Sequence, residues 1–354
     1  MNTYFSFRWY ITARHNQYCG YYRVSKKNPV EMPYNDMETV FNNCLRMCEK
    51  LECIPRFYIA GDDPILHRDF WKLLELLKSQ KTKFDILGEP FHLTRDICDK
   101  LKYYGCENYH FSIDGLRAAH DKIHKSGSFD AIFEKIPLIN KAGINSVIAT
   151  AVSDANIEEI PAIIDTAVGN KAHAFFFVRY PPNKIKRKFR IAPCKYRDLF
   201  DRCWGKFTEY ENKGTVFHLK DHLWMLFLYE KGLFAIPKNL SKGIIYENRN
   251  DGISNITILP DGAVYTPGVE SRNGSALNTS LYDIFLNSMM DIYREYSSFG
   301  KCSNCELMRF CRGCSVMSCG HTGNFYGSDP QCWRTSVREA KECYFPKSAL
   351  PSPC

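Results

Sequence analysis

No apolar stretch in these 354 residues approaches the roughly 18 needed to cross a bilayer. The longest runs, such as Trp224 to Tyr229 and Ala174 to Val178, are far too short. The N-terminus, Met1-Asn2-Thr3-Tyr4-Phe5, lacks the basic-then-apolar layout of a signal peptide. Repeats and low-complexity tracts are also missing, which excludes a solenoid or a long disordered linker. Charge of one sign is not in large excess: a net +8 is modest and by itself implies no nucleic acid. A cytoplasmic protein with no membrane and no nucleic-acid partner is expected. The composition, 45% hydrophobic and 24% charged, is that of a globular chain with room for a large core and an appendage.

One further absence is local. No cysteine occurs between Cys203 and Cys302, although the chain holds 16. Eight lie before residue 302 and eight in the last 53 residues. Without an export signal a disulfide framework is not expected, and dense thiols in a reducing compartment point to a metal or an iron–sulfur cluster. Cys302, Cys305, Cys311 and Cys314 form C-x2-C-x5-C-x2-C, and Cys319, Cys332 and Cys343 follow. Two CxxC pairs can bring four thiolates to one centre. Zinc would be content with the two pairs, and a cubane accepts four thiolates while tolerating a distant fourth ligand.

Up to about residue 180, short apolar strands alternate with amphipathic helices. Strands are expected at Tyr4–Ala13, Phe57–Ala60, Phe84–Leu87, Tyr109–Ile113, Val147–Val152 and Ala174–Val178. Helices are expected at Met37–Leu51, around Phe70 to Leu77, at Thr94–Tyr104 before Gly105, from Ser128 as cap to Gly143, and after an Asn156/Glu159 capping box. Continuously apolar strands, each followed by a helix, mean a parallel sheet covered by helices. Six such units are too few for a closed eight-stranded barrel, so a partial barrel or a doubly wound sheet remains. Ligands then sit at the strand carboxyl ends, in loops beginning at Ala13, Gly61, Gly88, Asp114, Ser153 and Arg179. Past Arg179 comes a basic loop with Lys184, Lys186, Arg187, Lys188 and Arg190. Two helical stretches, Lys195–Asn212 and Leu219–Glu230, and a hairpin over Ile256–Tyr265 follow.

Several motifs resemble those of a known family. Phe111-Ser112-Ile113-Asp114-Gly115, Gly127-Ser128-Phe129, the loop Ala60-Gly61-Asp62-Asp63-Pro64-Ile65-Leu66-His67, Ile258-Leu259-Pro260-Asp261-Gly262 and the stretch Cys302 to Trp333 look like radical SAM proteins with a C-terminal SPASM extension, of the type that modifies ribosomally made peptides. The resemblance implies an α/β partial (β/α)6 barrel followed by a small cysteine-rich SPASM-type iron–sulfur extension. It divides the chain into a barrel at 1–190, a helical linker at 191–250 and the extension at 251–354. It also implies that Cys302, Cys305, Cys311 and Cys332 ligate one auxiliary [4Fe–4S] cluster. Cys314 matches the ligand sent back to another auxiliary cluster.

The chain departs from the family pattern in three places. The family's three-cysteine motif falls on His15, Cys19 and Tyr22, with Asn16 keeping the register. One thiolate, one imidazole and one phenol are a poor cage for a cubane. Asp62 stands where the loop that holds S-adenosyl-L-methionine has a second glycine, and Asp63 keeps a carboxylate; a side chain at the former position crowds the ligand. Finally, no cysteine lies near Arg249 or after Tyr265, where Thr266-Pro267-Gly268 stands, so the first auxiliary cluster is expected to be absent and Cys314 to be free or to join the remaining site. A polar cavity bordered by His15, Asp62, Asp63, Ser112 and Asp114 is expected at the barrel top, with weak or no hold on S-adenosyl-L-methionine.

The resulting expectation is a degenerate radical SAM/SPASM protein with one [4Fe–4S] cluster, a non-catalytic partner of a precursor peptide or of an active maturase. An active peptide-modifying enzyme with unusual cluster ligands and a zinc-stabilised interaction protein are the alternatives. Cys44, Cys48 and Cys53 are expected to be core thiols, and His218 and His222, four apart on a helix, lack the glutamate of a metalloprotease.

Overall fold

The computed structural model describes residues 4–13, 31–61, 63–179, 191–236, 254–266, 271–286, 291–292 and 294–334. His15, Cys19, Tyr22, Asp62, the basic loop at 184–190, Arg249, Pro267, Gly268 and Cys343 lie outside them.

Strands β1 (Tyr4–Tyr10), β2 (Ile54–Ala60), β3 (Phe84–Leu87), β4 (Cys106–Ser112), β5 (Asn145–Val152), β6 (Ala174–Arg179) and β7 (Val216–Phe217) pair in parallel and in chain order. Each new strand adds on the same side, so the winding never reverses. A doubly wound sheet reverses at its switch point, whereas this is the winding of a barrel left open. At the other edge β8 (Asn255–Ile258) pairs in parallel with β1, and β9 (Ala263–Thr266) and β10 (Ser271–Ser275) continue the sheet antiparallel. The cysteine-rich extension therefore begins as part of the barrel's own sheet.

The strand pleat separates two faces. Phe5, Phe7, Trp9, Phe57, Ile59, Phe84, Ile86, Phe111, Ile148, Phe175 and Phe177 are buried under helices α1 (Tyr34–Lys50), α2 (Phe70–Ser79), α3 (Arg95–Tyr104), α4 (Arg117–Ile123), α5 (Ser128–Lys141), α6 (Ile160–Gly169), α7 (Pro193–Glu209) and α8 (Leu223–Glu230). Cys44 and Cys48 lie on the core face of α1, where burial pushes their thiols up and makes them inert. The opposite sheet face carries Arg8, Arg56, Tyr58, Asp85, His110, Ser112 and Phe176, and apart from Asp85 these are half-buried or exposed.

Local signals act mostly where the pattern placed them. Thr94 caps α3 by accepting from Ile97 N at 3.3 Å, and Gly105 ends that helix at φ 104°. Two expected caps do not form. Ser128 is the first residue inside α5, and Asp121 from the preceding helix accepts instead from Gly127 N at 2.8 Å and Phe129 N at 3.0 Å. Asn156 binds backward rather than forward: its Nδ2 donates to Asp114 O at 3.1 Å and Ala151 O at 2.9 Å. Glu159 accepts from Leu116 N at 2.6 Å, and α6 starts only at Ile160. Both residues tie the loop after β4 to the loop after β5, a tertiary demand that outranks capping. His218 and His222 are not on a helix either, since α8 begins at Leu223.

His120, on α4, accepts from Asp114 N through Nδ1 at 3.2 Å and stacks on His124 at 4.3 Å. Burial, with His124 beside it, lowers its pKa from the ordinary 6.5 to about 3. The folded chain thus holds it neutral, while the unfolded chain takes up a proton below about pH 6.5. The stability this contributes is complete above that value and is lost as pH falls toward 3. By pH 5 the loss is about 2 kcal/mol. Urea denaturation at about pH 7.5 and pH 5 should show it, and His120→Asn, which keeps the acceptor for Asp114 N, should flatten the pH dependence. An unchanged slope in the variant would contradict this assignment.

Candidate functional site

At the strand carboxyl ends, the loops after β1 and β2 press together. A Cβ on Gly61, at φ 131°, would lie 2.4 Å from Thr12 O, so glycine is required there. His67 spans the same junction, its Nε2 2.9 Å from Met32 O and its Nδ1 accepting from Asp69 N at 3.0 Å. Thr12 and Glu31 bridge antiparallel, so the described residues flanking 14–30 meet at the top of β1.

Asp63 is fully buried. Its Oδ2 lies 2.7 Å from His92 Nδ1 and its Oδ1 accepts from Ile65 N at 3.4 Å, capping the 3-10 turn Pro64–Leu66. Burial raises its carboxyl above the usual range, outweighing the opposing pull of His92. Asp114 is buried as well. Its Oδ1 accepts from Ala151 N at 2.7 Å and its Oδ2 lies 2.8 Å from His124 Nε2. Both carboxylates are thus engaged in holding loops. Ser112, at the end of β4, is exposed on the open face.

On that face, Arg56 donates to Asp85 at 3.0 Å and lies over the Tyr58 ring at 5.6 Å. Asn108 donates to Asp85 at 2.6 Å, and His110 lies 3.6 Å from the same carboxylate. Burial opposes ionisation of Asp85, but His110, Arg56 and Asn108 together hold its carboxyl low. A basic and aromatic surface with one buried carboxylate behind it results, suited to anionic and aromatic groups of a ligand.

In the extension, Cys302 and Cys305 flank a tight turn closed by Cys305 N donating to Cys302 O at 2.9 Å. Cys311 ends the short helix Met308–Cys311, and Arg312 at φ 60° and Gly313 at φ 63° turn the chain toward Cys314. The thiol of Cys311 is pushed up by burial, and further by the nearby Cys332 and Cys302. Cys302 is raised by burial, with Cys332 adding to it. Three of the four expected ligands therefore converge closely enough to feel one another's charge. Cys305 sits beside Arg334 and Tyr229. With bonds of about 2.3 Å, tetrahedral zinc holds its sulfurs about 3.8 Å apart. Among the described residues the group whose ligand atoms all lie within 4.8 Å is a different one, His222, Cys314 and Asp329. Cys314 belongs to that second group.

A heavily bonded buried cluster lies outside the predicted site residues. Arg179, the last residue of β6, is buried. Its Nε donates to Asp221 at 2.9 Å, and its Nη1 to Asp329 at 2.6 Å and to Gln331 at 3.1 Å. Tyr196 of α7 donates to Asp221 at 2.9 Å, and His222 Nε2 lies 2.7 Å from Asp329 Oδ2. Burial would raise both carboxyls; the Arg179 guanidinium, with His222, outweighs it, lowering Asp221 and holding Asp329 well below the usual range. A charged residue closing the apolar run Ala-Phe-Phe-Phe-Val-Arg was the available signal.

Comparison with known proteins agrees with this architecture. Residues 17–167 match the family model of the Radical SAM superfamily. An AdoMet-dependent heme synthase of Methanosarcina barkeri is 23% identical over 338 residues, covering 92% of this chain and 95% of the relative. One of Nitratidesulfovibrio vulgaris is 24% identical and covers 78% of each chain. Among solved structures, Streptococcus suis SuiB bound to S-adenosylmethionine superposes with a TM-score of 0.71 at 17% identity, over 94% of this chain and 78% of that one. Native anSMEcpe with bound AdoMet gives 0.69 at 15% identity, over 92% and 94%. These likenesses establish the fold, a partial barrel with a cysteine-rich extension of the SPASM type.

Removing the guanidinium strands two buried carboxylates. Arg179→Met should therefore cost about 3–5 kcal/mol in chemical denaturation. Arg179→Lys should recover little of it, because an ammonium cannot fork between Asp221 and Asp329. A loss below about 1 kcal/mol in Arg179→Met would mean that the cluster does not hold the extension in place.

Proposed function

Proceeding from the match of residues 17–167 to the Radical SAM superfamily, we propose that the chain binds one auxiliary [4Fe–4S] cluster, does not cleave S-adenosylmethionine reductively, and serves as a non-catalytic partner in the maturation of a ribosomally made peptide. The observation that carries this reading is the donor set His15, Cys19 and Tyr22. One soft ligand in three does not fit a site-differentiated cubane, so no cleavage step is derived through it. The engagement of Asp63 and Asp114 in loop contacts supports the same reading, because neither carboxylate is left open toward a ligand.

The extension fits its group better. Cys302, Cys311 and Cys332 are within electrostatic reach of one another, and Cys305 follows in the adjoining turn. These four would hold the cluster, which supplies fold stability and an electron-transfer centre when bound. The precursor peptide, or an active maturase carrying it, would meet the open sheet face of Arg8, Arg56, Tyr58, His110 and Phe176. SuiB bound to precursor peptide SuiA shares the fold, with a TM-score of 0.70 at 19% identity over 93% of this chain and 75% of that one. A reducing compartment, the cytoplasm, suits a chain with this many free thiols; among the described residues no helix is long and apolar enough to cross a membrane.

A second reading has its own observation. The heme synthase of Methanosarcina barkeri matches the chain nearly end to end, which favours a heme-type tetrapyrrole as the ligand of the same basic and aromatic face. Titration with hemin should leave the Soret band unshifted if the peptide reading holds, and a stoichiometric shift would favour the second.

Anaerobic reconstitution tests the core of the proposal. The parent chain should take up about four irons, one cubane. Cys305→Ala with Cys311→Ala should lose them and destabilise the extension, since cluster binding and folding are linked. Full iron content in that variant would sink the ligand assignment, and 5′-deoxyadenosine formation by the parent chain would sink the non-catalytic reading. Changing His15 and Tyr22 to Cys should add about one cluster while leaving cleavage poor, because Asp62 remains; adding Asp62→Gly should raise it. No extra iron in the double variant would mean that more than ligands has been lost.

A further inference from the structure

We propose that His222, Cys314 and Asp329 form a binding site for a single divalent transition metal of the zinc class, separate from the four-cysteine centre. The three residues come from distant parts of the chain. His222 immediately precedes α8, Cys314 stands before the helix Ser315–Thr322, and Asp329 lies in the turn leading to Cys332. All three are buried, with ligand atoms mutually within 4.8 Å. An imidazole, a thiol and a carboxylate are the three ligand types zinc accepts. Bonds of about 2.0–2.3 Å in a tetrahedron put ligand atoms roughly 3.3–3.6 Å apart, inside the observed spread.

Asp329 is arranged for this role. Its Oδ1 is taken up by Arg179 Nη1 at 2.6 Å and Gln331 N at 2.8 Å. Its buried Oδ2 lies 2.7 Å from His222 Nε2, and Arg179 Nη2 lies 3.2 Å from the same nitrogen. A cation seated between Asp329 Oδ2 and His222 Nε2 would replace their direct contact, and opening the gap by about half an ångström would seat one. Charge also balances. Asp221 neutralises Arg179, leaving the Asp329 carboxylate and a Cys314 thiolate to neutralise a divalent ion. The contacts from Arg179 and Gln331 N to the non-ligating oxygen hold the carboxylate in orientation, as outer-shell groups do in metal sites.

Cobalt is the probe. The full-length chain, reconstituted with iron and sulfide, is titrated with Co2+. The parent should bind one more Co2+ per chain than Cys314→Ser, with a thiolate-to-cobalt charge-transfer band missing from the variant. His222→Gln should weaken that uptake at least tenfold, and Cys319→Ser should leave it unchanged. Equal cobalt stoichiometry in the parent and Cys314→Ser would overturn the proposal. Because the variants disturb a buried cluster, the parent is also tested directly: stoichiometric Zn2+ should slow iodoacetamide labelling of Cys314, read by peptide mass spectrometry, without slowing that of Cys319. Equal labelling of Cys314 with and without zinc would overturn it equally. Comparing parent with variant keeps this result independent of whether the four-cysteine site fills with iron.

Discussion

The buried guanidinium of Arg179 is the fixed point about which the two parts of the molecule are arranged. Burying one cation and two carboxylates carries a desolvation penalty that their attraction repays only when every lone pair is met. Here the fork of Arg179 meets Asp221, Asp329 and Gln331, and Tyr196 covers the remaining side of Asp221. The partner residues lie 42 and 150 positions away. An apolar replacement could pack as tightly, but it would not dictate which segment of the extension meets the end of β6. The ion pair does dictate it, and the segment it selects runs directly into Cys332.

That selection explains how a short, cysteine-rich segment acquires a definite position. Among the described residues the extension has a small core of its own, Phe299, Cys302 and Met308 with Tyr296, Phe325 and Tyr326 packed on it. It borrows order from the barrel at both ends of the parallel sheet. At one edge the backbone of β8 hydrogen-bonds to β1. Toward the other, Arg179 grips Asp329, Trp333 donates to Glu230 at 2.9 Å, and Phe310 packs on Phe234 at 5.0 Å. A centre assembled from Cys302, Cys311 and Cys332 is thus placed by contacts that are not themselves ligands, and loosening them would loosen it.

The barrel was legible because its information is local. An apolar strand followed by a helix with a 3.6-residue stripe needs only neighbours to be recognised, and Phe84–Leu87 or Thr94 before Arg95–Tyr104 fall where the pattern puts them. What the sequence hid was polar and long-range. Asn156 and Glu159 carry the spacing of a cap, yet both are recruited across the chain by the loop after β4. His222 reads as one of a helical pair until Asp329 is brought to it. Cys314 looks like the fourth thiolate of two CxxC pairs, but after the left-handed turn at Arg312 and Gly313 it lies with His222 and Asp329. Spacing along the chain fixes which residues can meet, and the left-handed turn decides which do.

The barrel top has the same logic. Asp63 and Asp114 sit where an α/β barrel places chemistry, yet each spends both oxygens on neighbouring loops. Those contacts join the loops after β2, β4 and β5 to the histidines at positions 92 and 124. The open face below it, with Arg56 and His110 arrayed around buried Asp85, is likewise set by protein contacts alone. A rim and face tied together by such protein contacts can present a binding surface. This is the physical condition under which a radical SAM architecture can act by binding rather than by chemistry.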